Sequence, residues 1–189
     1  IDVLERSLYN GVLSGISLSG DRFFYPNPLE VNKQGQERSP WFDCSCCPSN
    51  LSRFIPSIPG YMYATDGKSI YVNLFGENVA NIPFKNKIIT IKQQTDYPWK
   101  GEVTLIVSPQ KVKHFSLKIR IPGWCRNEVI PSDLYSFTSK IKDTVQIIVN
   151  NKQYNYRTEK GFAIVEKKWN KSDIVKIIMP MKVRTVKAN

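Results

Sequence analysis

The feature that most constrains the fold is the run of short, β-branched segments that begins after residue 60. These segments largely alternate apolar and polar residues, and turns such as Thr65-Asp66-Gly67-Lys68 separate them at regular intervals. The predicted strands cover 61–63, 69–75, 87–92, 101–107, 115–121, 144–149, 161–165 and 173–179. Because no helical pattern lies between them, the chain is predicted to be mainly β, with an antiparallel β-sandwich as its main body.

The first 59 residues follow a different pattern. Residues 1 to 14 predict a helix, and 16–29 predict a hairpin whose second strand is the aromatic segment 22–25. The apolar side chains on one face of that helix are Val3, Leu4, Leu8, Val12 and Leu13. Ile58-Pro59-Gly60 then breaks the pattern. We therefore predict a helical and hairpin segment over 1–59 and a β-sandwich domain over 60–189.

Three of the four cysteines lie close together, at Cys44, Cys46 and Cys47. Neighbouring thiolates form a metal-ligand pair or a reactive site more readily than a strained vicinal disulfide. The next residues, Pro48 to Asn50, predict a turn into a helix with Ser49 or Asn50 as N-cap. A position just before a helix N-terminus would lower a thiol pKa. The residues alone leave three interpretations open: a catalytic site, a structural zinc knuckle, or a cluster of buried thiols.

Composition narrows the classes of partner. The chain is 41% hydrophobic and has no run of eighteen apolar residues, so we expect no membrane span. Its net charge is +11, but the basic residues are spread singly along alternating segments, so we expect no nucleic-acid partner. The sequence opens on Ile1 inside an amphipathic pattern, which leads us to expect a chain cut from a longer protein. Its location, cytoplasmic or exported, stays open.

Other candidate residues carry weaker signals. His114 is the only histidine and is expected on the surface, and Cys125 is expected to be a buried, inert thiol. Tyr97, Trp99 and Trp124 suggest a second possibility, because flat rings can stack on sugars. A carbohydrate-binding or structural accessory module is therefore the alternative to an enzyme.

Several segments together resemble one family. The most specific is the Cys-x-Cys-Cys-Pro-x-Asn block at 44–50, and an Ile-Pro-Gly-Trp-Cys block ends at Cys125. The matching segments are 4–10, 22–30, 41–50, 71–75, 95–99, 119–125 and 180–184. In this order they resemble the C-terminal half of the β-L-arabinofuranosidases of glycoside hydrolase family 127.

The resemblance implies a fold, a reaction and site residues. The family joins an (α/α)6 catalytic barrel to β-sandwich domains, and it cleaves terminal β-L-arabinofuranosides with retention. Its nucleophile is a cysteine held on zinc by one glutamate and three cysteines. By motif, Cys46 would be the nucleophile and a zinc ligand, Cys47 a second zinc ligand, and Tyr25 a residue that lines the sugar pocket. The segment 1–59 would then be the C-terminal remnant of the barrel.

The resemblance also predicts what this chain lacks. No Glu-x-Cys occurs in the sequence, and the family's acid/base glutamate lies upstream of the matching segments. Two cysteines do not complete a tetrahedral zinc site unless Cys44 or solvent contributes. We therefore expect an inactive fragment that holds zinc weakly or not at all. Without the rest of the barrel, the apolar helix face would be exposed, form a homo-oligomer or dock onto the sandwich.

Overall fold

The computed structural model describes residues 1–25, 30, 37–44, 46–111 and 114–189. The chain divides into two compact units, Ile1–Gly60 and Tyr61–Asn189. The predicted origin of the first unit in a catalytic barrel stays a prediction. In the described residues, no helix has the length and hydrophobicity that crossing a bilayer requires.

The N-terminal unit begins with helical structure of three kinds. The predicted helix over 1–14 is an α-helix only at Asp2–Ser7 (α1), and it continues as a π-helix at Leu8–Val12 and a 3-10 helix at Leu13–Gly15. Gly11, which has a low helix propensity, lies in the π-helical turn. The predicted apolar face is buried unevenly, because Leu8 is buried whereas Val3 is 59% exposed.

The predicted hairpin after this helix is reduced to single bridges. Ile16 pairs with Phe23, and Phe23 pairs with Ser39, each as an isolated antiparallel bridge. The turn between the first pair contains Gly20 at a φ of +78°, a conformation that glycine adopts without strain. The end of the predicted hairpin, at 26–29, lies outside the described residues. The remaining helices of this part of the chain are α2 Cys46–Phe54, a 3-10 helix Ile55–Ser57 and α3 Pro59–Met62.

The second unit is built mainly from strands, as predicted, but the first predicted strand, 61–63, is wrong because 61–62 belong to helix α3 and the first strand begins at Tyr63. Its strands are β1 Tyr63–Thr65, β2 Ser69–Val72, β3 Asn78–Phe84, β4 Lys87–Thr95, β5 Glu102–Pro109, β6 His114–Arg120, β7 Tyr135–Phe137, β8 Gln146–Val149, β9 Lys152–Gln153, β10 Arg157–Glu159, β11 Phe162–Lys168, β12 Asp173–Ile178 and β13 Val186–Ala188. A short 3-10 helix lies at Gly123–Arg126. The chain is therefore mainly β after a short helical segment, which confirms the predicted fold class.

The strands form two main sheets and one small one. One sheet has the order β1-β2-β6-β11-β10, the other has β3-β4-β5-β12-β8-β9, and β7 pairs with β13. All pairings are antiparallel except that between β2 and β6, which is parallel. Pro83 lies in β3, an edge strand, where a residue without an N–H is tolerated.

The core of this unit comes from the alternating apolar residues of both main sheets. Leu117 and Ile119 of one sheet and Leu105 of the other are completely buried, as is Trp169. The Nε1 of Trp169 donates a hydrogen bond to the Phe115 carbonyl oxygen at 2.9 Å, and the two rings stack at 5.3 Å. Burial of apolar side chains on period-2 strands is the main source of stability here.

Candidate active site

The isolated bridges of the N-terminal unit carry Tyr25 toward the cysteine segment. Phe23 and Ser39 exchange backbone hydrogen bonds at 2.9 Å in both directions. Arg38 supports this pairing, because its guanidinium lies 4.5 Å from the Phe24 ring centroid. The chain segment before the cysteines therefore runs beside the segment that ends at Tyr25.

Helix α2 begins earlier than the sequence pattern predicts. Cys46 and Cys47 are its first two residues and do not precede it. The predicted caps are also wrong: the Ser49 hydroxyl and the Asn50 amide lie inside the first turns and donate to the Cys46 carbonyl oxygen at 3.0 and 2.8 Å. Pro48 fits the third helical position, because the N–H groups of the first turn have no intrahelical acceptor.

Three polar atoms meet at the start of this helix. The Tyr25 hydroxyl oxygen lies 3.3 Å from the Cys46 sulfur, and the Cys46 and Cys47 sulfurs are 3.7 Å apart. The ring of Phe42 contacts the ring of Tyr25, with 5.5 Å between centroids. Cys46 is exposed and Cys47 is half-buried. The structure thus brings Tyr25, Cys46 and Cys47 together, and Cys44 also interacts with the Tyr25 hydroxyl and the Cys46 thiol.

The hydrogen bonds give the two thiols different acidities. The bond from the Tyr25 hydroxyl lowers the pKa of Cys46, and bonds from Cys47 and Cys44 lower it further. The same contacts act in the opposite direction on the donors: the bond to Cys46 raises the pKa of Cys47 and that of the Tyr25 hydroxyl. A helix N-terminus also favours an anion at Cys46. Of the two thiols, Cys46 is therefore the one whose thiolate form these contacts favour.

The sulfur pair has the spacing of two zinc ligands. With a Zn–S bond of about 2.3 Å, two sulfurs of a tetrahedral site lie on the order of 3.8 Å apart. The separation of 3.7 Å between Cys46 and Cys47 fits this value. Among the described residues, no group of three or more histidine, cysteine, aspartate or glutamate side chains could hold a metal ion. The described part of the chain thus offers a pair of ligands and not a complete site.

The other candidate residues lie in the second unit. His114 is exposed at the start of β6, as expected, whereas Cys125 is half-buried. Of the three aromatic residues proposed to bind sugars, Trp99 is 88% exposed but Tyr97 is only 9% exposed. Trp124 is half-buried. Only Trp99 therefore presents an open ring face.

Sequence reasoning did not identify Phe42 as part of the site. Its signal in the sequence was its place in the matching segment 41–50, just before the cysteines. In the structure it packs on the ring that carries the hydrogen-bonding hydroxyl. Phe42 is therefore a positioning residue for Tyr25.

Family models match both units. The model described as "Beta-L-arabinofuranosidase, GH127 middle domain" matches residues 69–181, and the corresponding catalytic-domain model matches residues 1–60. The chain belongs to glycoside hydrolase family 127. The expectation from the cysteine block and its companion segments is thus confirmed at the level of the family.

Relatives in this family share both sequence and fold with the chain. A non-reducing end β-L-arabinofuranosidase of Bifidobacterium longum subsp. longum is 32% identical over 100% of this chain, which covers 28% of that relative. The solved structure of a family 127 β-arabinofuranosidase is 47% identical, with a TM-score of 0.92 over 100% of this chain and 29% of its own. A β-L-arabinofuranosidase from Geobacillus stearothermophilus is 35% identical, with a TM-score of 0.82 and the same coverage of 100% and 29%. The chain therefore spans less than a third of the length of these relatives.

Proposed function

We propose that the chain carries the nucleophile loop of a retaining glycoside hydrolase of the β-L-arabinofuranosidase type. The observation that carries the proposal is the position of the Cys46 sulfur, 3.3 Å from the Tyr25 hydroxyl and at the start of α2. The activity named for the relatives supports the substrate class, a terminal arabinofuranoside.

In the proposed reaction, the Cys46 thiolate attacks the anomeric carbon of the sugar. A carbon–sulfur bond forms, the glycosidic carbon–oxygen bond breaks, and the leaving oxygen takes a proton from a general acid. The deprotonated form of that acid then takes a proton from water, which attacks the same carbon. The carbon–sulfur bond breaks and its electron pair returns to sulfur, so that two inversions give net retention. We assign the acid to a part of the enzyme outside these 189 residues, in line with the family resemblance.

Tyr25 and Cys47 have supporting roles in this proposal. A thiolate is a strong nucleophile but a reluctant leaving group, so its charge must be stabilised before attack and after release. The Tyr25 hydroxyl and the Cys47 thiol donate to Cys46 and stabilise that charge. Tyr25 is 40% exposed, so its ring can also contact the bound sugar.

Zinc is the cofactor that the family resemblance implies, and Cys46 and Cys47 are the residues that would hold it. When bound, zinc would supply positive charge that lowers the thiol pKa and stabilises the thiolate. Because two thiols provide half of a tetrahedral set, we propose that the isolated chain holds zinc weakly and has no glycosidase activity. The remaining ligands would come from other parts of the intact enzyme.

The test compares the isolated chain with the intact enzyme that contains it, using an aryl β-L-arabinofuranoside. We expect no turnover by the isolated chain and loss of turnover by the intact Cys46→Ala enzyme. The matched control is Cys125→Ala, which removes the cysteine of the sandwich unit and should keep activity. Turnover by the intact Cys46→Ala enzyme would refute the assigned nucleophile, and turnover by the isolated chain would refute its incompleteness.

The exposed ring of Trp99 favours a second candidate function, a carbohydrate-binding accessory role for the sandwich. Trp99 follows a turn in which its own N–H donates to the Asp96 carbonyl oxygen at 2.8 Å. An exposed ring on an ordered turn can stack on a sugar face. Calorimetric titration with neutral arabinan oligosaccharides should give heat that Trp99→Ala abolishes. No heat at millimolar ligand would leave only a structural role.

A further inference from the structure

One end of the sandwich collects several connections between strands. The β1–β2, β3–β4, β5–β6 and β11–β12 connections leave the two main sheets at the same end, as the strand registers require. Ring contacts join the sheets there, with 5.5 Å between the centroids of Phe84 and Phe115 and 5.3 Å between those of Phe115 and Trp169. Loops that meet at one end of a sandwich form a continuous surface.

This surface is dominated by exposed lysines, and we call it the basic end. The lysines that define it are Lys68, Lys85, Lys87, Lys111, Lys168 and Lys171. None of these six forms an ion pair with another described residue. Their charge is therefore available to a ligand.

The acidic residues at the basic end already have partners. Asp66 accepts hydrogen bonds from the backbone N–H groups of Lys68 and Ser69 at 2.9 and 2.6 Å. The remaining two carboxylates, Glu166 and Asp173, accept from Arg157 at 2.9 Å and from Lys167 at 2.8 Å, respectively. These carboxylates therefore stabilise their own loops and do not neutralise the six lysines.

The opposite end of the same sandwich has a different arrangement of charge. Lys100 pairs with Asp96 at 2.7 Å within the β4–β5 connection. Lys182, which follows β12, pairs with Asp143. Lysines at that end are thus matched locally by carboxylates, whereas those at the basic end are not.

The charge is also unequal between the two units. The sandwich unit has 22 lysines and arginines against 10 aspartates and glutamates, whereas residues 1–60 have 5 against 6. The whole net charge of +11 therefore originates in the sandwich. A field of this kind attracts polyanions over several ångströms in solution.

A groove lies at the basic end, next to two of these lysines, Lys68 and Lys168. It has a volume of about 450 Å³. Its lining consists of Lys68, residues 114–116 of β6 and residues 166–168 of β11. The groove is open to solvent and therefore accessible to a ligand.

We propose that the basic end binds an acidic polysaccharide, such as a chain of uronic acids. Carboxylates repeated along a sugar chain match lysines spread over several loops. A single-stranded nucleic acid would require exposed rings for its bases, but Phe84, Phe115 and Trp169 at this end are no more than 6% exposed. The choice of a polysaccharide rests on membership of a glycoside hydrolase family and not on the assignment of Cys46.

The experiment measures binding of the 189-residue chain to sodium polygalacturonate at low salt, with neutral dextran as the uncharged comparison. The test variant is Lys68→Gln with Lys168→Gln, and the control is Lys100→Gln with Lys182→Gln at the opposite end. Both variants remove two charges. We expect roughly tenfold weaker binding for the test variant, a smaller salt dependence, and a change of less than about twofold for the control.

Three results would overturn the proposal. They are equal loss of affinity in both variants, equal binding to neutral dextran, and tighter binding to duplex DNA than to polygalacturonate at the same salt. Absence of polygalacturonate binding by the unaltered chain would overturn it as well. Cys46→Ala should bind polygalacturonate normally, so failure here is distinguishable from failure of the proposed catalytic function. Thermal melts of each variant verify that it is folded.

Discussion

The two units of the chain differ in how they are held together. Among the buried apolar side chains of the described residues, only Leu8 and Pro48 lie in the N-terminal unit, and all the others lie in the sandwich unit. The N-terminal unit carries the reactive thiols on a short helix, with isolated bridges before it. Since apolar burial supplies most folding free energy, stability is expected to depend on the sandwich and thiol reactivity on the loop.

This difference predicts two classes of substitution. Changes in the sandwich should alter the free energy of unfolding and leave the reactivity of Cys46 unchanged. Changes beside Cys46 should alter the reactivity of its thiol and leave the free energy of unfolding unchanged.

The largest effect is expected at Trp169, which is completely buried. Trp169→Ala removes a stacked ring and the hydrogen bond to Phe115, and we expect a loss of about 3–5 kcal/mol. Chemical denaturation measures this loss. Trp99→Ala, at an 88% exposed position, is the matched control and should change stability by less than about 0.5 kcal/mol. Similar losses for the two tryptophans would contradict the proposed core.

A smaller effect is expected at Arg184. Its guanidinium donates to Trp124 and Asn127 at 3.1 and 2.8 Å and lies 3.3 Å from the Phe137 ring centroid. Lysine cannot reproduce this planar fork, so Arg184→Lys should cost about 1–2 kcal/mol of unfolding free energy. Val183→Ala, at the exposed neighbouring position, is the control. An unchanged denaturation midpoint for Arg184→Lys would show that the fork does not stabilise the segment after β12.

A still smaller, pH-dependent effect is expected at Asp66. Backbone N–H groups of Lys68 and Ser69, then the Tyr71 hydroxyl, lower its pKa from 3.8 to about 2. The folded state thus favours the ionised carboxyl, which adds stability above pH 3.8 that is lost as the pH falls toward 2. Because Asp66 is exposed, the contribution is below about 1 kcal/mol. Asp66→Asn should remove this part of the acid sensitivity. The measurement is the difference in unfolding free energy between pH 5 and pH 2.5. If the variant and the unaltered chain show the same difference, Asp66 does not contribute to acid sensitivity.

No effect on stability is expected from Tyr25→Phe. The substitution keeps the ring beside Phe42 but removes the donor to Cys46, so the pKa of that thiol should rise toward its ordinary value. Alkylation of Cys46 below neutral pH should then slow severalfold, while the thermal midpoint stays the same. Phe24→Leu, on the adjacent position of the same segment, serves as a control for loop packing. An unchanged alkylation rate for Tyr25→Phe would show that the hydroxyl does not stabilise the thiolate.

Much of the sandwich could be predicted from sequence, because its strands alternate regularly. Leu105 and Ile119 lie in such segments and are fully buried. Strand β3 was not predicted, since Asn78 to Phe84 contains Pro83 and lacks a clear apolar alternation. The parallel pairing of β2 with β6 depends on contacts far apart in sequence, and local pattern does not contain them.

The site was predictable in part. The density of cysteines identified Cys46 and Cys47 as candidates without any structure, and the family resemblance added Tyr25. The start of α2 was misplaced, because Pro48 was interpreted as preceding the helix although the first turn tolerates it. The contact between Tyr25 and Cys46 joins residues 21 positions apart and follows from the bridges at Phe23. Zinc binding and the sugar specificity stay predictions.

The most direct test of the central claim, that Cys46 holds the reactive thiolate, is competitive alkylation of the 189-residue chain. Limiting iodoacetamide is added at mildly acidic pH with a chelator present, and peptide mass spectrometry measures the modified fraction of each cysteine. Cys44 is the internal comparison, since it is also exposed and only two residues away. We expect Cys46 to be modified first, ahead of Cys44, Cys47 and Cys125. Faster modification of Cys44, or equal rates at all four cysteines, would contradict the claim.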